Sequence, residues 1–266
     1  MRRGLLAALT IAALTAAFAA NPSSAQQGQL PLPGFRPPPA PPIKPYQAVA
    51  VTPPATLNDP GFIGFRKQLG EVTARKDRGA LAKMVVTQDF FWIPQDKDLA
   101  DAHKSGIDNL FKAIDMGGSD DSGWQILAGF ASEPTAAESP QQPGVFCAPA
   151  DPNLDQSAFE ALLKATQSDP SEWGYPAKAG VEVHAAAQPS SPAIDKLGMN
   201  LVRVLPDTNA PANPNDPFVL HIATPAGKSG YVDGQSISPL GGDQICYTKQ
   251  GGAWKIAGYL GGAVQQ

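Results

Sequence analysis

The sequence predicts an α+β protein in which a helical N-terminal half packs on a small C-terminal β-barrel. Two patterns predict this class. Apolar residues recur at helical spacing between residues 59 and 177, and they alternate with polar residues, as in strands, from residue 178 onward. Hydrophobic residues make up 42% of the 266 residues, which is enough for a packed core and excludes a wholly disordered chain.

The first 25 residues have the layout of a secretory signal peptide. A basic start (MRR) precedes an apolar run over residues 5–20, and small residues end the segment at positions 23–25. Cleavage after Ala19 is an alternative to cleavage after Ala25. The apolar run is shorter than the roughly 20 residues that a membrane-spanning helix needs. We therefore expect a periplasmic or secreted protein, with no stable membrane insertion once the signal peptide is removed.

Residues 26–58 are predicted to be a Pro-rich, disordered spacer. The chain has 28 Pro, about twice the usual share, and many of them lie between Pro31 and Pro45. Proline restricts φ and lacks an N–H donor, so this run favours an extended polyproline II conformation. No acidic residue precedes Asp59, so all the negative charge belongs to the rest of the chain.

A helical domain is predicted over residues 59–177. It opens at Asn58-Asp59-Pro60, which combines cap candidates with a proline in the first turn. The apolar residues that follow at spacings of three and four are Phe62, Phe65, Leu69 and Val72. Further helices are predicted to open at Asp77, Ser105, Ser122 and Ser157. The aromatic run 90–93 suits a buried strand or turn.

A β-domain is predicted over residues 178–266. Apolar and polar residues alternate over 181–185, 201–205 and 218–222. Two further runs, 245–248 and 254–257, flank a Gly-Gly turn and predict a terminal hairpin. Short strands separated by Gly and Pro turns favour a small barrel.

Part of this domain resembles bacterial SH3-like (SH3b) domains. Residues 180–198 (GVEVHAAAQPSSPAIDKLG) are similar to their opening strand, Pro/Ser loop and hydrophobic-x-x-Leu-Gly motif. Residues 218–232, which end in GKSGYV, are similar to their W-x-x-V…G-x-x-G-W/Y-V segment, with Phe218 and Tyr231 at the aromatic positions. The resemblance covers about residues 178–240 and implies an SH3-like barrel.

The full layout also resembles a group of uncharacterised exported bacterial proteins. They carry a helical region with the motif F-x-x-L…D-x-x-x-L-x-x-x-V, then an SH3-like barrel and a closing W-x-I/M hairpin. The matching residues are Phe65, Leu69, Asp77, Leu81, Val85 and Trp254-Lys-Ile256. This resemblance implies an architecture, and SH3-like domains in exported proteins often bind cell wall or protein.

Cys147 and Cys246 are the only cysteines. In an exported chain an even number of cysteines favours a disulfide, which here joins the helical half to the terminal hairpin. The alternative is a nucleophilic cysteine. Neither residue lies in a D-C-S-G or S-x-G-C-x-R motif of cell-wall peptidases and transpeptidases.

The sequence predicts no catalytic, cofactor-binding or metal-binding residue. Three His and two Cys are few side chains from which to build a metal site. The acidic loop 115–123 lacks the ligand spacing of an EF-hand calcium site. The segment 227–230 (GKSG) lacks the first glycine of a phosphate-binding loop.

A ligand groove is the remaining candidate site. Exposed aromatic residues form the groove of SH3-like barrels, so the resemblance makes Tyr231 and Tyr259 its candidates, each with an apolar ring and a polar tip. His184 and His221 lie on predicted strands of the same barrel, where they could meet across the strands.

We expect a non-enzymatic cell-envelope binding or targeting protein that recognises peptidoglycan or an envelope protein. A net charge of −4 and a pI near 5.3 argue against a nucleic-acid partner. One alternative is a hydrolase or enzyme accessory that uses a Glu182/His184 face as an acid/base pair. Another is a small-ligand carrier, because residues 62–93 resemble the opening of cone-shaped nuclear-transport-factor-like folds.

Overall fold

A computed structural model describes residues 43–94, 97–118, 120–188, 190–206 and 218–261. The predicted signal peptide and the first part of the predicted spacer lie outside the described residues. None of the helices in these ranges has the length and apolar character that crossing a membrane requires.

Four of the five helices in the described ranges begin at a residue whose side chain caps them. The described residues contain α1 (Pro60–Ala74), α2 (Arg78–Ala82), α3 (Gly106–Ala113), α4 (Ser122–Ser132) and α5 (Gln156–Thr166). Side-chain oxygens of Asp59, Asp77, Ser105 and Asp155 each accept the backbone N–H three residues on. The exception is α4, which was expected to open at Ser122 and begins after Asp121 without a side-chain cap.

The cap of α5 differs from the expected Ser157. The Asp155 carboxylate accepts the Ala158 N–H at 3.0 Å, and the Ser157 hydroxyl donates to the same carboxylate at 2.9 Å. A carboxylate that stands ahead of the serine therefore takes the capping position.

The strands are short and are assembled into three sheets. They are β1 (Val51–Thr52), β2 (Phe91–Ile93), β3 (Ala137–Glu138), β4 (Val145–Ala148), β5 (Asn153–Leu154), β6 (Trp173–Pro176), β7 (Glu182–His184), β8 (Ala193–Lys196), β9 (Val202–Val204), β10 (Val219–Ala223), β11 (Ser229–Asp233), β12 (Ile237–Pro239), β13 (Gln244–Gln250) and β14 (Ala253–Leu260). The sheet orders are β1-β5, β2-β14-β13-β4-β3 and β12-β6-β9-β10-β11-β7-β8.

The five-stranded sheet packs against the helical region. β2 runs parallel to β14, and the other neighbours in this sheet are antiparallel. One core lies between helices α1–α4 and this sheet, and its fully buried side chains include Phe62, Leu69, Leu110, Tyr247 and Ile256.

The seven-stranded sheet is antiparallel throughout and has a core on each face. One face buries Val183, Val202, Ile222 and Val232. At the β6 end of the sheet, a second core holds Trp173 against residues of α5.

The expected fold class, a helical half packed on a small SH3-like barrel, is wrong. The terminal hairpin β13–β14 does not belong to a C-terminal barrel. It pairs with β2 and β4, both from the N-terminal half, and so forms the centre of the sheet under the helices. Strand β6, which lies before residue 178, joins the seven-stranded sheet instead. Alternation in the sequence marks strands, but the pairing depends on contacts between distant segments.

Residues 43–58, which belong to the predicted spacer, lie on the folded body. Val49 and Val51 are buried, and the Tyr46 hydroxyl donates to the Leu201 and Ala223 carbonyl oxygens at 3.2 and 2.9 Å. Burial raises the pKa of the Tyr46 phenol. The stretch after Lys44 is therefore held by apolar burial and hydrogen bonds.

Candidate functional site

Three of the four predicted groove residues lie side by side on neighbouring strands. In the seven-stranded sheet, Tyr231 on β11 is directly opposite His221 on β10 and directly opposite His184 on β7. Residues that are directly opposite in a sheet project from the same face. His184, Tyr231 and His221 therefore form one line across three strands, which we call the ring row.

The ring row lies on the outer side of this part of the sheet. The residues that precede or follow its members, namely Val183, Val232 and Ile222, point to the opposite face and are buried there. All three members of the ring row are half-buried. They are thus supported by the sheet and partly accessible to a ligand.

Two members of the ring row stack on each other. The His221 and Tyr231 ring centroids are 4.7 Å apart, and the ring planes differ by 16°. Stacking covers one face of each ring, and the Tyr231 phenol oxygen lies at the edge of its ring, where it can both donate and accept a hydrogen bond. Such a surface can contact a ligand through ring carbons and hydrogen-bond it at the edges.

The third ring is fixed by a hydrogen bond. His184 Nδ1 lies 2.7 Å from the Ser191 carbonyl oxygen. A carbonyl oxygen only accepts, so Nδ1 carries the proton and donates it. In the neutral imidazole, Nε2 is then an acceptor.

The fourth predicted groove residue, Tyr259, lies elsewhere. It is on β14 of the five-stranded sheet, is 1% exposed, and donates its hydroxyl to Asp243 Oδ2 at 2.8 Å. Burial, and after it the hydrogen bond and charge of Asp243, raise the pKa of this phenol. The structure therefore does not bring Tyr259 to the ring row, because its strand pairs with the N-terminal half.

The proposed acid/base face is engaged in separate interactions. Glu182 Oε1 pairs with Lys196 Nζ at 3.2 Å on the neighbouring strand β8, while His184 donates to Ser191. The pairing of β7 with β8 also shifts in register between Val183 and His184. The hydrolase alternative stays a prediction.

The aromatic residues of the ligand-carrier alternative are part of the first core. Phe90 and Trp92, which lie in the segment 62–93, are both 5% exposed. The Trp92 indole N–H donates to the Gly261 carbonyl oxygen at 3.1 Å. The small-ligand carrier also stays a prediction.

The predicted disulfide is confirmed. Cys147 on β4 and Cys246 on β13 are directly opposite in the five-stranded sheet and are bonded, with 99 residues of sequence separation. Disulfides are typical of proteins in oxidising compartments outside the cytoplasm. Within the described residues, no group of three or more His, Cys, Asp or Glu side chains could hold a metal ion.

Sequence reasoning missed a cleft between the two larger sheets. Its volume is about 510 Å³, and its walls come from the segments after β1, α4 and β4, from β6 and β12, and from the start of β13. Glu133, Asp151 and Tyr175 are among its lining residues. They are spread over separate segments and share no motif, so nothing local in the sequence indicates that they meet.

Neither a family model, nor a curated protein, nor a solved structure matches the chain.

Proposed function

We propose that this protein is an exported, non-enzymatic binding protein of the cell envelope, located in the periplasm or secreted. The confirmed disulfide supports a location outside the cytoplasm, and the signal-peptide pattern supports export. The protein's role is to attach to envelope material rather than to transform it.

The observation that carries the proposal is the ring row. Three amphipathic rings on adjacent strands combine carbon surface with hydrogen-bonding atoms, and rigid strands hold them in place. Glycan hydroxyls and peptide groups need both kinds of contact. Peptidoglycan, which contains glycan and peptide, is therefore the proposed ligand.

Co-sedimentation with purified peptidoglycan tests the proposal. We expect the wild-type protein to pellet with peptidoglycan, and Tyr231→Ala to bind at least about tenfold more weakly, since truncation of a central aromatic residue of an interface costs about 2 kcal/mol or more. His184→Ala should also weaken binding to peptidoglycan.

Phe218→Ala is the matched control. Phe218 is an exposed aromatic residue, 60% accessible, that directly precedes β10 and is not a member of the ring row. Unfolding curves of each variant must match the wild type. The proposal fails if the wild type does not bind peptidoglycan, or if Tyr231→Ala and Phe218→Ala bind it alike.

A further inference from the structure

The cleft between the two larger sheets is rich in hydrogen-bond acceptors and poor in donors. Six of its lining residues are prolines, which have a carbonyl oxygen but no backbone N–H: Pro53, Pro54, Pro134, Pro149, Pro152 and Pro239. Among the described residues that line it, two carry carboxylates and none is Lys, Arg or His. A ligand that fits this lining must donate hydrogen bonds.

Two side-chain donors of the cleft, Gln244 and Thr135, are already used within it. The Gln244 Nε2 donates to the Pro149 carbonyl oxygen at 2.7 Å. The Thr135 hydroxyl donates to Glu133 Oε1 at 2.5 Å and accepts the Ala150 N–H at 3.1 Å. The bond between Thr135 and Ala150 connects the wall after α4 to the wall after β4, and the bond between Gln244 and Pro149 connects the latter to β13.

One of the two carboxylates is held in a fixed orientation. Glu133 Oε1 accepts both the backbone N–H and the hydroxyl of Thr135, at 2.7 and 2.5 Å. Its position is therefore set before a ligand arrives, which reduces the entropy lost on binding. Oε2 is the atom that these two bonds leave for a further donor.

The buried phenol of Tyr175 responds to the charge of the cleft. Burial raises the pKa of this group, a hydrogen bond with Ser238 opposes that shift, and the charges of Glu133 and Asp151 raise it further. Both carboxylates thus act on the same buried wall residue. A concave surface that is lined by one sign of charge attracts ions of the opposite sign.

We propose that this cleft binds an alkylammonium group, presented either by a lysine side chain of a peptide or by a free diamine. An ammonium group has three donors and no acceptor, which complements a lining of carboxylates and proline carbonyls. The cavity of about 510 Å³ falls in the range of small-ligand sites, and the proline rings offer rigid apolar contact to the alkyl chain. The site is separate from the ring row and does not depend on peptidoglycan binding.

Calorimetric titration of the full protein at low ionic strength tests the proposal with three probes. The peptide acetyl-Ala-Lys-Ala-amide should bind, and the same peptide with an acetylated lysine should bind at least about tenfold more weakly, since hydrogen bonds to charged groups contribute about 1.5–3 kcal/mol. Cadaverine is the free diamine. Tighter binding of the peptide identifies a peptide ligand, and tighter binding of cadaverine identifies a diamine.

Charge-removing variants locate the site. Glu133→Gln removes the charge but keeps an oxygen that can accept the hydrogen bonds of Thr135. Asp151→Asn removes the charge without changing the shape of the side chain. We expect each variant to bind the lysine peptide about tenfold or more weakly than the wild type does. Glu138→Gln is the matched control, because Glu138 Oε1 also accepts a backbone N–H, from Gly144 at 2.7 Å, but it does not line the cleft. Amide NMR shifts of Thr135 and Ala150 report binding even where a variant is destabilised.

Two results overturn the proposal. One is the absence of binding, by calorimetry and by NMR, for both the lysine peptide and cadaverine. The other is binding that neither lysine acetylation nor Glu133→Gln weakens relative to Glu138→Gln.

Discussion

The indole N–H of Trp254 donates a hydrogen bond to Asp59, with 3.1 Å between Nε1 and Oδ1, across 195 residues of sequence. The same oxygen caps α1 by accepting the Phe62 N–H at 2.8 Å. The other carboxylate oxygen pairs with Lys249 Nζ at 2.8 Å. A single side chain therefore begins the first helix and attaches it to the terminal hairpin.

Replacement of Asp59 should lower the stability of the protein and make its Tm less dependent on pH in the acidic range. The hydrogen bonds from Lys249, Phe62 and Trp254 lower the pKa of Asp59 from 3.8 to about 2. A lowered folded-state pKa means that the stabilisation is present above the unfolded-state pKa and is lost as the pH falls through the folded-state pKa. Asp59→Asn should thus have a lower Tm than the wild type at pH 7, and the difference should shrink between about pH 4 and pH 2.

Asp155→Asn is the control for this prediction. Asp155 caps α5 with the same geometry, but its side-chain hydrogen bonds are to nearby residues, Ser157 and Ala158. Thermal unfolding over a pH series should show the larger loss at pH 7 for Asp59→Asn. Equal losses would mean that the bonds to Trp254 and Lys249 contribute nothing beyond the cap.

Removal of the disulfide should cost several kcal/mol. For a loop of 99 residues, the chain-entropy model gives a stabilisation of about 4–5 kcal/mol, and measured values are often smaller. Urea unfolding of the wild type and of Cys147→Ala/Cys246→Ala measures the loss. Thiol alkylation followed by mass measurement should show no added alkyl group on the unfolded, unreduced protein and two added alkyl groups after reduction. Two alkyl groups on the unreduced protein would disprove the bond.

Two buried tyrosines should respond oppositely to loss of the hydroxyl. The Tyr247 hydroxyl is fully buried and has no hydrogen-bond partner among the residues that the structure describes, so Tyr247→Phe should stabilise the protein by about 1 kcal/mol. Tyr259→Phe loses the bond to Asp243 and should destabilise it by about 1 kcal/mol. Urea unfolding at pH 7 measures both, and the same sign for both variants would contradict the prediction.

Two helical glycines should also differ in their response to alanine. A Cβ on Gly106 would lie 2.0 Å from the Val86 carbonyl oxygen, which is backbone and cannot move aside cheaply. Gly106→Ala should therefore destabilise the protein by about 1–3 kcal/mol or more. Gly129, on α4, has nothing within 4 Å of that position, so Gly129→Ala should stabilise it by about 0.5–1 kcal/mol. Thermal unfolding of both variants checks the contrast.

The ring row was only partly accessible to sequence reasoning. His221 and Tyr231 lie on strands joined by a short turn, so their meeting follows from a local hairpin. The pairing of β7 with β11 brings His184 beside them, and no local pattern specifies that neighbour. The position of Tyr259 was unpredictable for the same reason, because its strand pairs with β2, more than 150 residues earlier in the sequence.

The sequence by itself determined the features that depend on near neighbours. Side-chain caps such as Asp59 and Asp77 act on N–H groups three residues away, and the period of apolar residues specifies which face of α1 is buried. The signal-peptide pattern together with the count of two cysteines was enough to predict their bond. Only the tertiary structure decided which sheet each strand joins, and with it the ring row and the acceptor-lined cleft. Strand pairing is set by hydrogen bonds and burial between distant segments, and alternation along one strand carries no information about its partner.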